Sequence, residues 1–287
     1  MHLSVIIPCL NASETIGEQL RALANQSWSE PWEVIVSDNG STDESAVIVD
    51  GFKKRLPNLR IVDSSDRKGA AHARNVGARA ANGEALLFCD ADDVVGDGWL
   101  SAIGKALLKH DFVASRWDME TLNTTFAQIC RMNPQESSLN EYTYPPYLKH
   151  SGASGLGIKR SIHETIGGFD ESLLCLEDTD YCWRVQLAGT KLHFVPDAVV
   201  NIRCPNSYWG LFKQALNWAD YNVLLYKKYR PLGMPKLSPR QGFMEWKRAL
   251  RNILKIRNRK AFARCLWQLA WRIGRLRGSV RYRVFAL

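Results

Sequence analysis

The chain opens on a short run of apolar positions, Leu3 to Ile7, and then repeats one alternation through its first ninety residues. Short apolar runs at Glu33 to Val36, Leu59 to Val62 and Ala85 to Cys89 read as strands, with helical spacing at about 12–25 and 70–81 between them. Strands separated by helices of this length build a parallel sheet wrapped by helices, so the expected class is α/β. In the first helix Ile16, Leu20 and Leu23 share a face, and Asn11 with Glu14 three residues on reads as a capping box. No internal repeat is visible.

Polar residues gather where each apolar run ends: Asn11 after the first, Asp38 after the second, Ser64 and Ser65 after the third, Asp90 and Asp92 after the fourth. In an open parallel sheet those ends lie along the edge where ligands bind, so four separated segments are expected to share one crevice. Beyond Asp93 the pattern predicts a helix over 98–110, a strand at 112–115, a strand over 152–159, a short helix near 161–166, a helix over about 178–188, and a strand at 191–195. The stretch 118–150, with its Pro145-Pro146 pair, has no readable period. From Ser207 the chain reads as helical, broken at 231–239 by three prolines and a glycine. The predicted organisation is an α/β domain over 1–206 and a helical extension over 207–287.

Composition narrows this picture without changing it. With 287 residues, 46% hydrophobic and 23% charged, the chain is globular, and collagen-like and disordered classes are excluded. No stretch approaches the roughly 18 apolar residues that cross a bilayer, and Met1-His2-Leu3-Ser4 carries no leader pattern, so a cytoplasmic protein is expected. Seven scattered cysteines, with no C-x-x-C pair, read as reduced thiols rather than a disulfide or zinc framework. Charge is unevenly placed: residues 227–287 hold eighteen Lys and Arg against the single acid Glu245, while residues 1–226 hold 20 basic and 28 acidic residues. An acidic body with a basic tail points to a tail that meets an anionic surface.

The strongest chemical signal is Asp90-Ala91-Asp92-Asp93, directly behind an apolar run. Carboxylates at i and i+2 of an extended segment project to one side, and paired hard oxygens suit Mn2+ or Mg2+. An ion held there can bridge a diphosphate; an acidic helix cap is the alternative reading. Asp38 within Ser37-Asp38-Asn39-Gly40-Ser41-Thr42-Asp43 could accept hydrogen bonds from a nucleobase, or the segment is only a tight turn. Lys68-Gly69 opens a helix of small residues in which Arg74 could face phosphate or base. The chain has neither G-x-x-x-x-G-K-[ST] nor G-x-G-x-x-G after its first strand, which disfavours P-loop ATPases and dinucleotide dehydrogenases.

These motifs, in order, resemble the family-2 glycosyltransferases of GT-A fold. The resemblance rests on Val5-Ile6-Ile7-Pro8 with Asn11, the 37–43 loop, Lys68-Gly69 with Ala73-Arg74-Asn75, Asp90-Ala91-Asp92-Asp93, Ile166-Gly167-Gly168-Phe169-Asp170 and Glu177-Asp178, and covers about residues 3–229. It implies a Rossmann-like, mostly parallel central sheet and a UDP-, GDP- or dTDP-sugar donor. Pro8, Asn11, Asp38, Lys68, Gly69 and Arg74 would line the nucleotide pocket. Asp90, Ala91 and Asp92 would hold ribose and a metal-bridged diphosphate, with Asp90 and Asp92 as metal ligands. Gly168, Phe169 and Glu177 would border the acceptor, and Asp178 would be the base of an inverting displacement. Glu177-Asp178-Thr179-Asp180 also reads as an acidic first turn favoured by the helix dipole, and both readings can hold at once.

The chain departs from the pattern in two places. Asn201 stands where many relatives have a metal-binding His, and Gln214-Ala215-Leu216-Asn217-Trp218 lacks the Arg of the processive Q-x-x-R-W motif. One sugar per encounter is therefore expected, delivered to a glycan or lipid-linked precursor of the cell envelope or an exopolysaccharide. The rival readings are a nucleotidyltransferase and a non-catalytic nucleotide-sugar-binding subunit. In the tail, Phe243, Trp246, Leu250 and Ile253 share one helical face, and Phe262, Leu266, Leu269 and Ile273 another. Such basic amphipathic helices either lie on the cytosolic face of an anionic membrane or pack on the domain; nucleic acid is disfavoured by the acidic body.

Overall fold

The structure is a computed structural model and describes residues 1–124, 126, 135–143 and 145–286. Two compact units emerge. The first holds Met1–Thr121, residues 135–140 and Lys149–Arg203; the second is built from residues 204–286, with 122–124, 126, 141–143 and 145–148.

In the first unit the chain runs β1 (Leu3–Cys9), α1 (Ile16–Ala24), β2 (Trp32–Asp38), α2 (Ser45–Gly51), β3 (Leu59–Asp63), α3 (Ala70–Ala80), β4 (Ala85–Phe88), β5 (Val94–Val95), α4 (Trp99–Leu107) and β6 (Phe112–Asp118). It continues through β7 (Leu156–Lys159), α5 (Arg160–Ile166), α6 (Glu177–Leu187) and β8 (Leu192–Asn201). The eight strands form one sheet in the order β3-β2-β1-β4-β7-β6-β8-β5. β1 to β4 are mutually parallel, and β7 runs antiparallel to both β4 and β6.

The period of two along β1 explains why the sheet is covered on both faces. Leu3, Val5, Ile7 and Cys9 join Val34, Val36 and Leu87 in a core that also takes Leu20 of α1 and Ile103 of α4. Ile6, Ile35, Leu86 and Phe88 point the other way, onto Ala71 and Ala78 of α3 and Tyr181 and Val185 of α6. A strand buried on both faces reads as a near-continuous apolar run, and β1 does, interrupted only by the buried Ser4.

The structure corrects three expectations. α1 begins at Ile16 with Thr15 at its N-cap, so Asn11 and Glu14 do not cap it. Asn11 has φ 50° and its side chain accepts instead from the Thr42 backbone N–H at 2.8 Å, tying β1's end to the 38–43 loop. The strand expected at 191–195 runs on to Asn201: its pairing with β6 jumps from Ser115↔Val195 to Arg116↔Val199, so Pro196, which has no N–H to give a ladder, is carried in a bulge. The strand expected over 152–159 begins only at Leu156, and the two-residue β5 and the short α2, which were not expected, were too brief to leave a period.

The second unit contains α7 (Tyr208–Tyr229), α8 (Pro239–Ile253) and α9 (Arg259–Arg281). α7 and α9 approach backbone to backbone: a Cβ on Gly274 would lie 2.3 Å from the Leu216 carbonyl, and one on Gly278 2.8 Å from that of Asp220. The α9 face against α7 is thus the small row Ala263, Ala270, Gly274 and Gly278, one position round from the large apolar row. Fully buried Asp220 accepts from Arg277 and Arg281, and buried Arg275 donates to Asn222 at 2.7 Å. The Gln214–Trp218 segment belongs to this packing, with Trp218 edge-on to Trp267 and Asn217 accepting from Arg277. No helix among the described residues is long and apolar enough to cross a membrane. The six described cysteines form no disulfide; Cys130 and part of the 118–150 stretch lie outside the described residues.

Candidate active site

β1 has β2 on one side and β4 on the other, so the chain leaves the sheet in opposite directions from these neighbours and opens a crevice at their C-terminal ends. Two linked clusters occupy it.

The first hangs on β1 and β2. Pro8 lies in register with Ser37, and Cys9 with Asp38. One carboxylate oxygen of Asp38 accepts from the Ser41 N–H and hydroxyl, and Ser41 in turn accepts from the Asn11 N–H at 3.0 Å. The loop is tied to its neighbour by Asn39, only 3% exposed: its amide donates to the Ser64 and Arg67 carbonyls and accepts from the Gly69 N–H at 2.8 Å. Gly69 needs its missing Cβ, since its φ of 137° is disfavoured for other residues. Lys68 beside it is exposed.

The second cluster centres on Arg74, one turn inside α3 and 4% exposed. It donates to Asp90 at 2.7 Å and to Glu177 at 2.7 Å, and its guanidinium sits 5.5 Å from the Phe169 ring. A buried cation paired twice is held as a cation, and its pKa is raised further by both carboxylates against the cost of burial. Arg74 therefore joins the strand-end carboxylate to the α6 carboxylate instead of standing free to meet a phosphate.

Carboxylate oxygens of Asp90, Asp92 and Asp93 come within 4.8 Å of one another. Asp93 is 4% exposed, and burial, then the charges of Asp90 and Asp92, push its carboxyl well above the usual range. Three converging hard oxygens with excess negative charge fit a divalent cation. The third comes from Asp93, which sequence reasoning quoted within its motif but did not assign. The Asn201 amide is committed to the Val94 carbonyl at 2.9 Å, and Arg203 bonds the Asp92 carbonyl and Asp93.

Asp178 opens α6. Its carboxylate accepts from the Thr179 N–H at 2.6 Å and the Ala153 N–H at 3.3 Å. Burial first, then the neighbouring Glu177 charge, push its pKa up to about 7, opposed by Arg74. Leu176 just before has φ 59°, a left-handed conformation costing a non-glycine residue roughly 1–2 kcal/mol. Strain retained beside an acidic pair is typical of functional sites.

The 168–171 loop is clamped to α3. Asn75 donates to the Phe169 carbonyl at 2.9 Å and accepts from the Phe169 N–H at 2.8 Å, and a Cβ on Gly168 would lie 2.5 Å from the Asn75 oxygen. Glu171 accepts from Asn75, Arg67 and His72, and His72 also bonds Asp66. Asn39, Asn75, His72 and Glu171 hold these loops in place. Nothing in sequence separates such buried polar residues from ordinary turn and helix residues.

A family model described as glycosyl transferase family 2 matches residues 4–167, which carry the first cluster, Arg74 and the Asp90-Asp92-Asp93 group. The chain belongs to glycosyl transferase family 2. It is 25% identical over 249 residues to the poly-beta-1,6-N-acetyl-D-glucosamine synthase of Staphylococcus epidermidis, covering 82% of this chain and 58% of the synthase. Among solved structures, S. aureus TarS 1-349 in complex with UDP matches with a TM-score of 0.58 at 19% identity, covering 100% of this chain and 93% of TarS 1-349. The mannosyltransferase PcManGT from Pyrobaculum calidifontis, in complex with GDP-Man and Mn2+, matches at 0.64 and 20%, covering 99% and 76%. The sheet is thus the mixed α/β sheet of the GT-A glycosyltransferases, and the chain spans less than two thirds of the length of the synthase it matches.

Proposed function

We propose that the protein is a glycosyltransferase that inverts the anomeric centre as it transfers one sugar from a UDP-, GDP- or dTDP-sugar to a hydroxyl of a glycan or lipid-linked precursor of the cell envelope or an exopolysaccharide. The observation that carries the reading is Asp178, a half-buried carboxylate whose pKa of about 7 suits a general base. Its ionised form takes the acceptor's hydroxyl proton as that oxygen attacks the anomeric carbon from the side opposite the diphosphate. The C–O bond to the diphosphate breaks, and the nucleoside diphosphate leaves with the bonding pair.

Asp38 holds the base and Asp90 the ribose, with Pro8, Asn11 and Lys68 around them. Arg74 keeps Asp90 and Glu177 in fixed relation, so donor and acceptor sides move together. Mn2+ or Mg2+ bound by Asp90, Asp92 and Asp93 would neutralise the charge that develops on the diphosphate. The TarS complex with UDP and the PcManGT complex with GDP-Man and Mn2+ support a nucleotide-sugar donor. A lipid-linked acceptor would bring the protein to the cytosolic face of a membrane.

The test is a thermal-shift panel of UDP, GDP, dTDP and their sugars with and without Mn2+, repeated on Asp92→Ala. Metal-dependent stabilisation by one nucleotide family, lost in the variant, is expected. Metal-independent binding, or products containing nucleoside monophosphate or pyrophosphate, would overturn the assignment.

A further inference from the structure

The second unit presents a face that the transfer chemistry does not use. α8 buries Gly242 and Ala249 and leaves the neighbouring face, about 100° round the helix, exposed. On that side Phe243, Leu250 and Leu254 are 63%, 53% and 88% exposed, spaced to form one ridge roughly 16 Å long at 1.5 Å per residue. Lys247 lies in the same ridge, its ammonium 4.9 Å from the Phe243 ring centroid. The adjacent row is cationic: Arg248, Arg251 and Lys255 line a cleft of about 510 Å³ between α8 and α9, closed on the far side by Arg264.

Charge in this cleft is unbalanced. Its one acid, Glu245, is already taken by Arg248 at 3.1 Å and Arg272 at 2.8 Å. Among the described residues no acid pairs with Arg251, Lys255 or Arg264, and the sequence holds no acidic residue after Glu245. The cleft thus needs anions, while the ridge beside it needs an apolar phase. A nucleic-acid backbone would satisfy the cations and leave Phe243, Leu250 and Leu254 in water. An anionic phospholipid leaflet satisfies both at once, phosphates entering the cleft as the ridge enters the acyl boundary.

We infer that α8, with the α8–α9 cleft, is a docking surface for an anionic phospholipid leaflet. The inference deepens the lipid-linked acceptor reading by naming the surface that carries such an acceptor, and it does not depend on the donor chemistry.

The experiment is co-sedimentation of the full chain with phosphatidylcholine vesicles with and without phosphatidylglycerol. The variants are Arg251→Gln/Lys255→Gln/Arg264→Gln and Phe243→Ser/Leu254→Ser, both confined to exposed side chains. Binding is expected only with phosphatidylglycerol, weakened about a hundredfold by the three Gln substitutions at roughly fivefold per cation, and weakened also by the Ser pair. Donor-induced thermal shifts, measured in parallel, should match the wild type, which separates loss of docking from loss of fold or of donor binding. Equal binding to phosphatidylcholine alone, full binding by the Gln variant, or binding to duplex RNA in preference to the vesicles would overturn the inference.

Discussion

Replacing Asp178 by Asn should make the protein more stable while nearly abolishing transfer. The Asp178 carboxyl is pushed from 3.8 to about 7 by burial and by Glu177, so the native state holds a proton there that the unfolded chain has released. Stability therefore falls as pH rises from about 4 through about 7, and the whole penalty is present at pH 8. A span of about three pH units, at about 1.4 kcal/mol each, sets an upper limit of ~4 kcal/mol. Partial exposure of the side chain reduces this to about 2 kcal/mol.

The neutral amide removes that penalty, so the variant's Tm at pH 8 should rise by roughly 5 °C for a unit of this size. At pH 4.5 only about a quarter of the gain should remain, because wild-type Asp178 is protonated in the native state and only partly ionised in the unfolded chain. Over the same series kcat should be down about 10²- to 10⁴-fold, the usual worth of a general base. Calorimetric or fluorimetric melts of both proteins at the two pH values check this. A variant less stable than wild type at pH 8, or a gain independent of pH, would show that Asp178 is an ordinary helix-cap carboxylate.

Three further outcomes are expected. In wild type kcat/KM should rise with pH through about 7, and Glu177→Gln, which removes a neighbouring negative charge, should move that limb down by roughly one unit; an unmoved limb would separate Glu177 from the base. Gly168→Ala places a Cβ 2.5 Å from the Asn75 oxygen at φ 72° and should lower stability by about 1–3 kcal/mol in a denaturant titration, whereas an unchanged midpoint would deny the clamp. Asn39→Ala removes three hydrogen bonds between the 38–43 and 64–69 loops and should cost about 2–3 kcal/mol and raise the donor KM with little change in kcat. An unaltered KM would mean that these loops do not shape the donor pocket.

Much of the fold was legible from the chain because its first strands are buried on both faces. The runs Leu3–Ile7 and Ala85–Phe88 have no polar interruption that could blur them, apart from Ser4, whose hydroxyl donates to buried Glu33 and accepts from the Gly83 N–H. Asp90 and Asp92 were legible because strand ends in a parallel sheet share an edge, which is a property of topology rather than of any one contact. The α9 packing face was not legible. Large apolar residues mark a stripe in sequence, but close approach of two helices is decided by where small residues let backbones meet, and that selected Gly274 and Gly278 over Leu269 and Ile273.

By itself, then, the sequence determined the order of the longer strands and helices, the acidic strand-end cluster and the split between acidic body and basic tail, since each is written in local period or composition. Only the tertiary structure decided that Arg74 spans Asp90 and Glu177, that Asp93 joins the carboxylate cluster, and that Asn39 and Asn75 fasten loops more than 20 residues apart in the chain. Hydrogen bonds between distant segments depend on angles and distances that no spacing rule encodes. The raised Asp178 pKa has the same origin: it comes from burial and from charges brought there by the fold.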